Sequence, residues 1–190
     1  MADDEKLTTG QSSTAPSQKA GTSALILIPG DQSDIEYTER FVRARSVDDL
    51  LVLACGPDPT PAIERTERLS VDGRKRLLTD ADSDLTADDM TVKRLSDPTN
   101  LSTTGIEISS LLDDAGGTVV CVHSLTALLE DIETERLFRF LHILTSRIAA
   151  ADAVGQFYLD AAAHDDQTIY MLRSAFDTVV ETETVPRFSN

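Results

Sequence analysis

The chain has 190 residues, 33 acidic and 17 basic, giving a formal net charge of -16. That length fits one domain with a short tail, and 41% apolar residues supply a core. No stretch approaches the roughly 18 consecutive apolar residues of a membrane span. The acidic start, Met1-Ala2-Asp3-Asp4-Glu5-Lys6, has no apolar run of the kind a secretory leader needs. Two cysteines, Cys55 and Cys121, are too few for a disulfide framework and read as buried reduced thiols.

The acids divide into 22 Asp and 11 Glu, the bases into 13 Arg and 4 Lys, and the acid excess runs along the whole chain. Such a charge repels itself, and molar salt screens that repulsion. The charge balance therefore predicts a halophilic, cytoplasmic protein. Nucleic acids and anionic membranes are disfavoured partners, because binding them needs clustered cations. The densest basic cluster, Arg74-Lys75-Arg76, reads as a solvated turn.

Residues 1–22 hold one large apolar residue, Leu7, and are expected to be a disordered tail. A domain over 23–182 and a short C-terminal tail over 183–190 complete the expected organisation. Ala24-Leu25-Ile26-Leu27-Ile28 reads as a strand buried on both faces, ended by Pro29-Gly30. Ser33 or Asp34 offers an N-cap for a helix to about Arg45. Leu50–Cys55 is a second buried strand, closed by Gly56-Pro57. Pro61 starts a helix to about Leu69. The polar stretch 72–89 leaves room for a short strand at Arg76-Leu77-Leu78. Met90–Leu95 alternates and reads as a half-exposed or edge strand.

A helix follows over Leu101–Leu112, with apolar Ile106, Ile108, Leu111 and Leu112, ended by Gly116-Gly117. Thr118–Val122 is another central strand. The longest helix, Glu133–Ala150, places Leu137, Phe140, Leu141, Leu144 and Ile148 on one apolar face. Its Glu135 and Arg139 have the spacing of a helical ion pair. A strand at Ala153–Leu159, a helix at Asp165–Ser174 and a strand at Phe176–Val180 finish the pattern. Alternating apolar strands and helices predict an α/β fold, a mostly parallel sheet covered on both sides. Ligands in such folds bind beyond the carboxyl ends of the strands. Here those ends are Pro29-Gly30, Cys55-Gly56, His123-Ser124 and Asp160.

The run Val119-Val120-Cys121-Val122-His123-Ser124-Leu125-Thr126-Ala127-Leu128-Leu129 resembles the second nucleotide-binding strand of KaiC-like proteins in the RecA superfamily of P-loop ATPases. Phe138–Thr145 and Ala163–Ile169, the latter followed by Phe176-Asp177, resemble a haloarchaeal, largely uncharacterised branch of that superfamily. The resemblance covers about 24–182 and is strongest from 117 onward. It implies a three-layer RecA-like domain and a nucleotide site.

Against that implied site the residues are wrong in three places. A P-loop cradles phosphates on backbone N–H groups, with a Lys at the terminal phosphates and a Ser or Thr on Mg²⁺. Counting from Gly30, the second glycine position holds Ile35, the Lys position Glu36 and the Ser/Thr position Tyr37. Glu36 sets like charge against phosphate, which at ~4 Å costs several kcal/mol at an effective dielectric of about 20. The Walker B strand ends in His123-Ser124-Leu125 where the pattern has Asp-Ser-Leu, and imidazole suits Mg²⁺ poorly. The water-activating glutamate after the second strand is absent. Asp58, between two prolines, is the only acid in that stretch.

Gly30, Ile35, Glu36, Tyr37, His123 and Ser124 thus form a vestigial nucleotide pocket. The expectation is a pseudo-ATPase with no cofactor and no catalytic residue, acting as a regulatory or scaffolding module. Its expected partner is another protein, such as an intact paralogue or a regulator, and analogy with RecA-like domains suggests a homo-oligomer. One rival is a nucleotide-binding switch or weak ATPase with an altered pocket. Another is a metal site using His123, Asp160 and His164, the competing reading being that Asp165 simply caps a helix. The pairs Asp88-Asp89 and Asp113-Asp114 read as solvated surface, and His142 as a residue at the border of its helix's apolar face.

Overall fold

The structure is a computed structural model that describes residues 18–29, 36–56, 58–80, 89–112 and 117–182. Expectations that fall on 1–17, Gly30, the caps Ser33 and Asp34, Ile35, Asp88, Asp113, Asp114, Gly116 and 183–190 lie outside the described residues. Glu36 is described for its backbone alone.

Seven strands form one all-parallel sheet in the order β4-β3-β2-β5-β6-β1-β7. They are β1 (Ser23–Ile28), β2 (Asp49–Ala54), β3 (Arg74–Thr79), β4 (Met90–Arg94), β5 (Thr118–His123), β6 (Val154–Asp160) and β7 (Thr178–Glu181). The helices are α1 (Glu36–Ala44), α2 (Thr60–Arg68), α3 (Leu101–Leu111), α4 (Leu125–Leu129), α5 (Thr134–Ala150) and α6 (Asp166–Arg173).

The apolar strand runs explain the layering. Within β2, Leu50 and Val52 face one layer and Leu51 and Leu53 the other, all at most 2% exposed. Alternate side chains leave a strand on opposite faces, so an unbroken apolar run needs helices on both. Tyr37, Phe41 and Val42 of α1 and Ile63 of α2 cover one face. Ile108 of α3, Leu125 and Leu128 of α4, four leucine and isoleucine positions of α5 and Leu172 of α6 cover the other. This is the three-layer RecA-like architecture that the resemblance implied.

Several local readings change. Arg74-Lys75-Arg76 is the start of β3, not a turn, and Lys75 and Arg76 are buried there. Asp49 accepts from Arg76 Nε at 2.9 Å and Arg74 at 2.9 Å, while Lys75 pairs with Asp89. Cross-strand carboxylates are what let these cations enter the sheet. On α3, Ile108 is buried but Ile106 is 65% exposed, and on α5 Phe140 is only half-buried. Among the described residues no ion pair joins Glu135 to Arg139, and His142 is exposed, its ring edge-on to Phe138. Gln18 is buried, its amide donating to the carbonyls of Thr22 and Gly155.

Candidate functional site

The chain leaves β2 towards β3 along one face and leaves β5 towards β6 along the other. The neighbouring strands β2 and β5 therefore flank a switch point, where open α/β sheets hold their ligands. Cys55 N–H donates to the His123 carbonyl across it at 3.3 Å. Gly56 is needed here, for its φ is +122° and a Cβ would stand 2.6 Å from Ala127 Cβ.

Of the residues that the resemblance assigns to a nucleotide pocket, Tyr37, His123 and Ser124 have described side chains. Tyr37 is 9% exposed and packs into the core under α1, its phenol pKa raised by burial against the pull of Arg40 and Arg45. The next residue, Thr38, is wholly buried. Its N–H, in the first turn of α1, donates to Tyr158 Oη at 3.0 Å. Its hydroxyl lies 2.7 Å from Gln156 Oε1 and 2.8 Å from Tyr158 Oη. The first-turn amides of a helix are what a phosphate would otherwise use. Here one of them is spent on a phenol from β6.

His123 is half-buried at the end of β5, its ring tilted at 45° with its centroid 5.5 Å from that of Tyr158. The His123–Ser124 peptide is cis. Ser124 Oγ caps α4 by accepting from Ala127 N–H at 3.2 Å. Five residues carry too little periodicity for α4 to show in the sequence.

Asp58 is exposed and accepts from Thr60 N–H at 3.1 Å, closing the turn that enters α2. A second acid stands nearer the switch point. Asp80 follows β3, is half-buried, and accepts from Gly56 N–H at 3.4 Å. Burial, and then the Asp80 carboxylate, push the Cys55 thiol up to about 12. Cys121, buried in β5, is also pushed up to about 12 by burial. Both thiols are therefore protonated, poor nucleophiles at neutral pH. Sequence reasoning missed Asp80 because only the ladder register, Ala54 beside Thr79, brings it next to Cys55.

The metal candidates separate into structural roles. Asp160 caps the 3₁₀ turn Ala161–Ala163 through Ala162 N–H at 2.9 Å. His164 Nε2 is 3.2 Å from Thr126 Oγ1, and Thr126 accepts from Asp160 N–H. Asp165 caps α6 through Thr168 N–H at 2.7 Å, as the capping reading expected. Burial lowers the His164 pKa, with Asp160 and Asp165 pulling the other way. Among the described residues no three His, Cys, Asp or Glu side chains gather around a common point that could hold a metal. No helix among them is long and apolar enough to cross a membrane.

The strand order and layering define a RecA-like α/β domain, and comparison with solved structures agrees. PH0250 from Pyrococcus horikoshii OT3 matches with a TM-score of 0.60 at 13% identity, over 86% of this chain and 83% of that one. The flagellar accessory protein FlaH from Methanocaldococcus jannaschii matches with a TM-score of 0.53 at 12% identity, over 87% of this chain and 72% of that one. At such identities the likeness speaks for the fold alone. The chain belongs to a family of unknown function, DUF7504, whose model matches residues 11–182. No curated protein matches it.

Proposed function

We propose that this chain is a RecA/KaiC-like domain that does not hydrolyse Mg-ATP and serves as a regulatory or scaffolding protein-interaction module. The charge balance suggests the cytoplasm of a halophilic archaeon as its setting. The observation that carries the reading is the Tyr158 hydroxyl on Thr38 N–H. It takes a first-turn donor of α1 out of use for an anion. Around it, Tyr37 lies in the core and Ser124 is committed to a cap, and the resemblance aligns His123 with the acid that holds Mg²⁺ in KaiC-like proteins. These residues do not fit a Mg-nucleotide. The test is calorimetry of ATP and ADP with and without Mg²⁺ in ~1 M KCl, where surface charge is screened. The expected result is no heat of binding in any arm. Mg²⁺-dependent binding would overturn the proposal.

Asp80 favours a second reading, a nucleotide switch or weak ATPase with an altered pocket. Its half-buried carboxylate follows the strand beside Cys55-Gly56, near where a water-activating acid would be wanted. This reading requires slow ATP turnover that Asp80→Asn abolishes. Turnover equal in wild type and variant would remove Asp80 from any such role.

A further inference from the structure

A groove of about 370 Å³ runs between α3 and α5, and none of its lining residues belongs to the strand-end site. Its lips are Ile106 and Ile143, 65% and 58% exposed, and Phe140 lies between them. Arg136, Arg139 and Arg147 line the same groove. The combination is unusual for this chain, in which acids outnumber bases 33 to 17. None of the three arginines forms an ion pair among the described residues. Arg136 reaches the Thr99 carbonyl at 3.5 Å and helps hold the Asp97 carboxyl low, after its Thr99 hydrogen bond. Arg147 donates to Ser109 Oγ at 2.7 Å. The nearest acid on α3, Glu107, is taken by Lys93.

We infer that this groove docks an acidic amphipathic helix from a partner protein. The apolar lips call for a hydrophobic stripe, and the arginines call for carboxylates flanking it. From Arg136 to Arg147 the groove wall runs about 16 Å, the length of roughly three helical turns. A nucleic-acid backbone can answer the arginines but offers no apolar stripe to Ile106 and Ile143, whereas an amphipathic helix answers both. A second copy docking groove to groove would set arginines against arginines, so a symmetric dimer through this face is disfavoured. The inference gives the interaction reading a location, yet it stands or falls separately from nucleotide binding, because the two use different residues.

The experiment uses the full chain and two synthetic helical peptides of about 16 residues sharing one leucine stripe. One carries glutamates beside the stripe and the other lysines. Fluorescence anisotropy in moderate salt should show the glutamate peptide binding at least about tenfold tighter than the lysine peptide. In R136E/R139E/R147E that preference should reverse, and in I106D/I143D both peptides should bind weakly. All five substitutions are on exposed side chains, and circular dichroism checks that each variant is folded. Equal binding of the two peptides, no binding of either, or a preference unmoved by the arginine substitutions would overturn the inference. So would a wild-type dimer in sedimentation that the arginine substitutions dissolve, since the occupant would then be a second copy.

Discussion

The two ends of the sheet use their polar groups differently. At the amino ends, charge is paired with charge across strands: Asp49 with Arg74 and Arg76, and Lys75 with Asp89. Asp177 there also accepts from Ser23 N–H at 2.7 Å. At the carboxyl ends, several polar side chains are turned to the backbone. Ser124, Asp58 and Asp160 accept from nearby N–H groups, and Tyr158 takes the amide of Thr38. Charges at one end hold the sheet together. At the other end, Ser124, Asp58 and Asp160 close turns and helix ends.

The comparison predicts that the largest loss of stability comes from the amino ends. Asp49→Ala strips the buried Arg76 guanidinium of its carboxylate, and breaking a buried pair from one side costs about 3–5 kcal/mol. The Tm should fall by at least about 6 °C. Salt sharpens the point. Wild type should be most stable near ~2 M KCl and lose stability towards ~0.1 M, as screening of the surface acids is withdrawn. The deficit of Asp49→Ala should be about the same at both salts, since a buried pair is little screened. A deficit that vanished at high salt would mean that Asp49 acts as one more surface acid.

A smaller loss is expected from the network beneath the vestigial site. Thr38→Val keeps the shape and removes a hydroxyl that serves Gln156 and Tyr158, for about 1–3 kcal/mol. Tyr158→Phe leaves Thr38 N–H without its phenol, at a similar cost of about 1–2 kcal/mol. Because the two residues share one network, the double variant should cost less than the sum, by about 0.5 kcal/mol or more in a denaturant cycle. Strict additivity would show that the phenol and the threonine are not coupled, and would weaken the case that Tyr158 closes the start of α1.

The apolar runs made the sheet legible before any coordinates, because strands buried on both faces advertise themselves without alternation. The alternation of Met90–Leu95 reads as a half-exposed or edge strand, and among the described residues β4 does pair with β3 alone. What stayed hidden depended on register. Arg76 reads as surface until Leu51 is set beside it and Asp49 is found two residues away in the ladder. Asp80 reads as one more acid until Thr79 is placed beside Ala54. Tyr158 carries no motif, and its contact with Thr38 joins residues 120 apart. Tyr37 and His123 stand out in the sequence only against the resemblance. The contacts of Thr38 with Tyr158 and Gln156 could only be read in three dimensions.

The smallest effect in this comparison concerns the carboxyl-end His164. Burial holds its imidazole neutral below the ordinary 6.5, and Asp160 and Asp165 only partly offset this. On acidification the unfolded chain therefore takes up this proton first. The stability that neutral His164 contributes is full above about 6.5 and is lost as pH falls through its lowered folded value. The acids held low, Asp165 by its bonds to Thr168 and Asp97 by its bond to Thr99, lose their contributions only below the ordinary 3.8. The two windows are distinct. His164→Gln, which retains a polar group towards Thr126, should flatten the denaturation midpoint just below the ordinary 6.5 and move the lower limb only slightly, through the part the His164 charge plays in holding Asp165 low. Since His164 is only half-buried, the change in Tm is expected to be well under that of Thr38→Val. Parallel loss in wild type and variant across the upper window would assign that limb to another group, and would show that neutral packing at this end of the sheet contributes less than the contacts of Thr126 and His164 suggest.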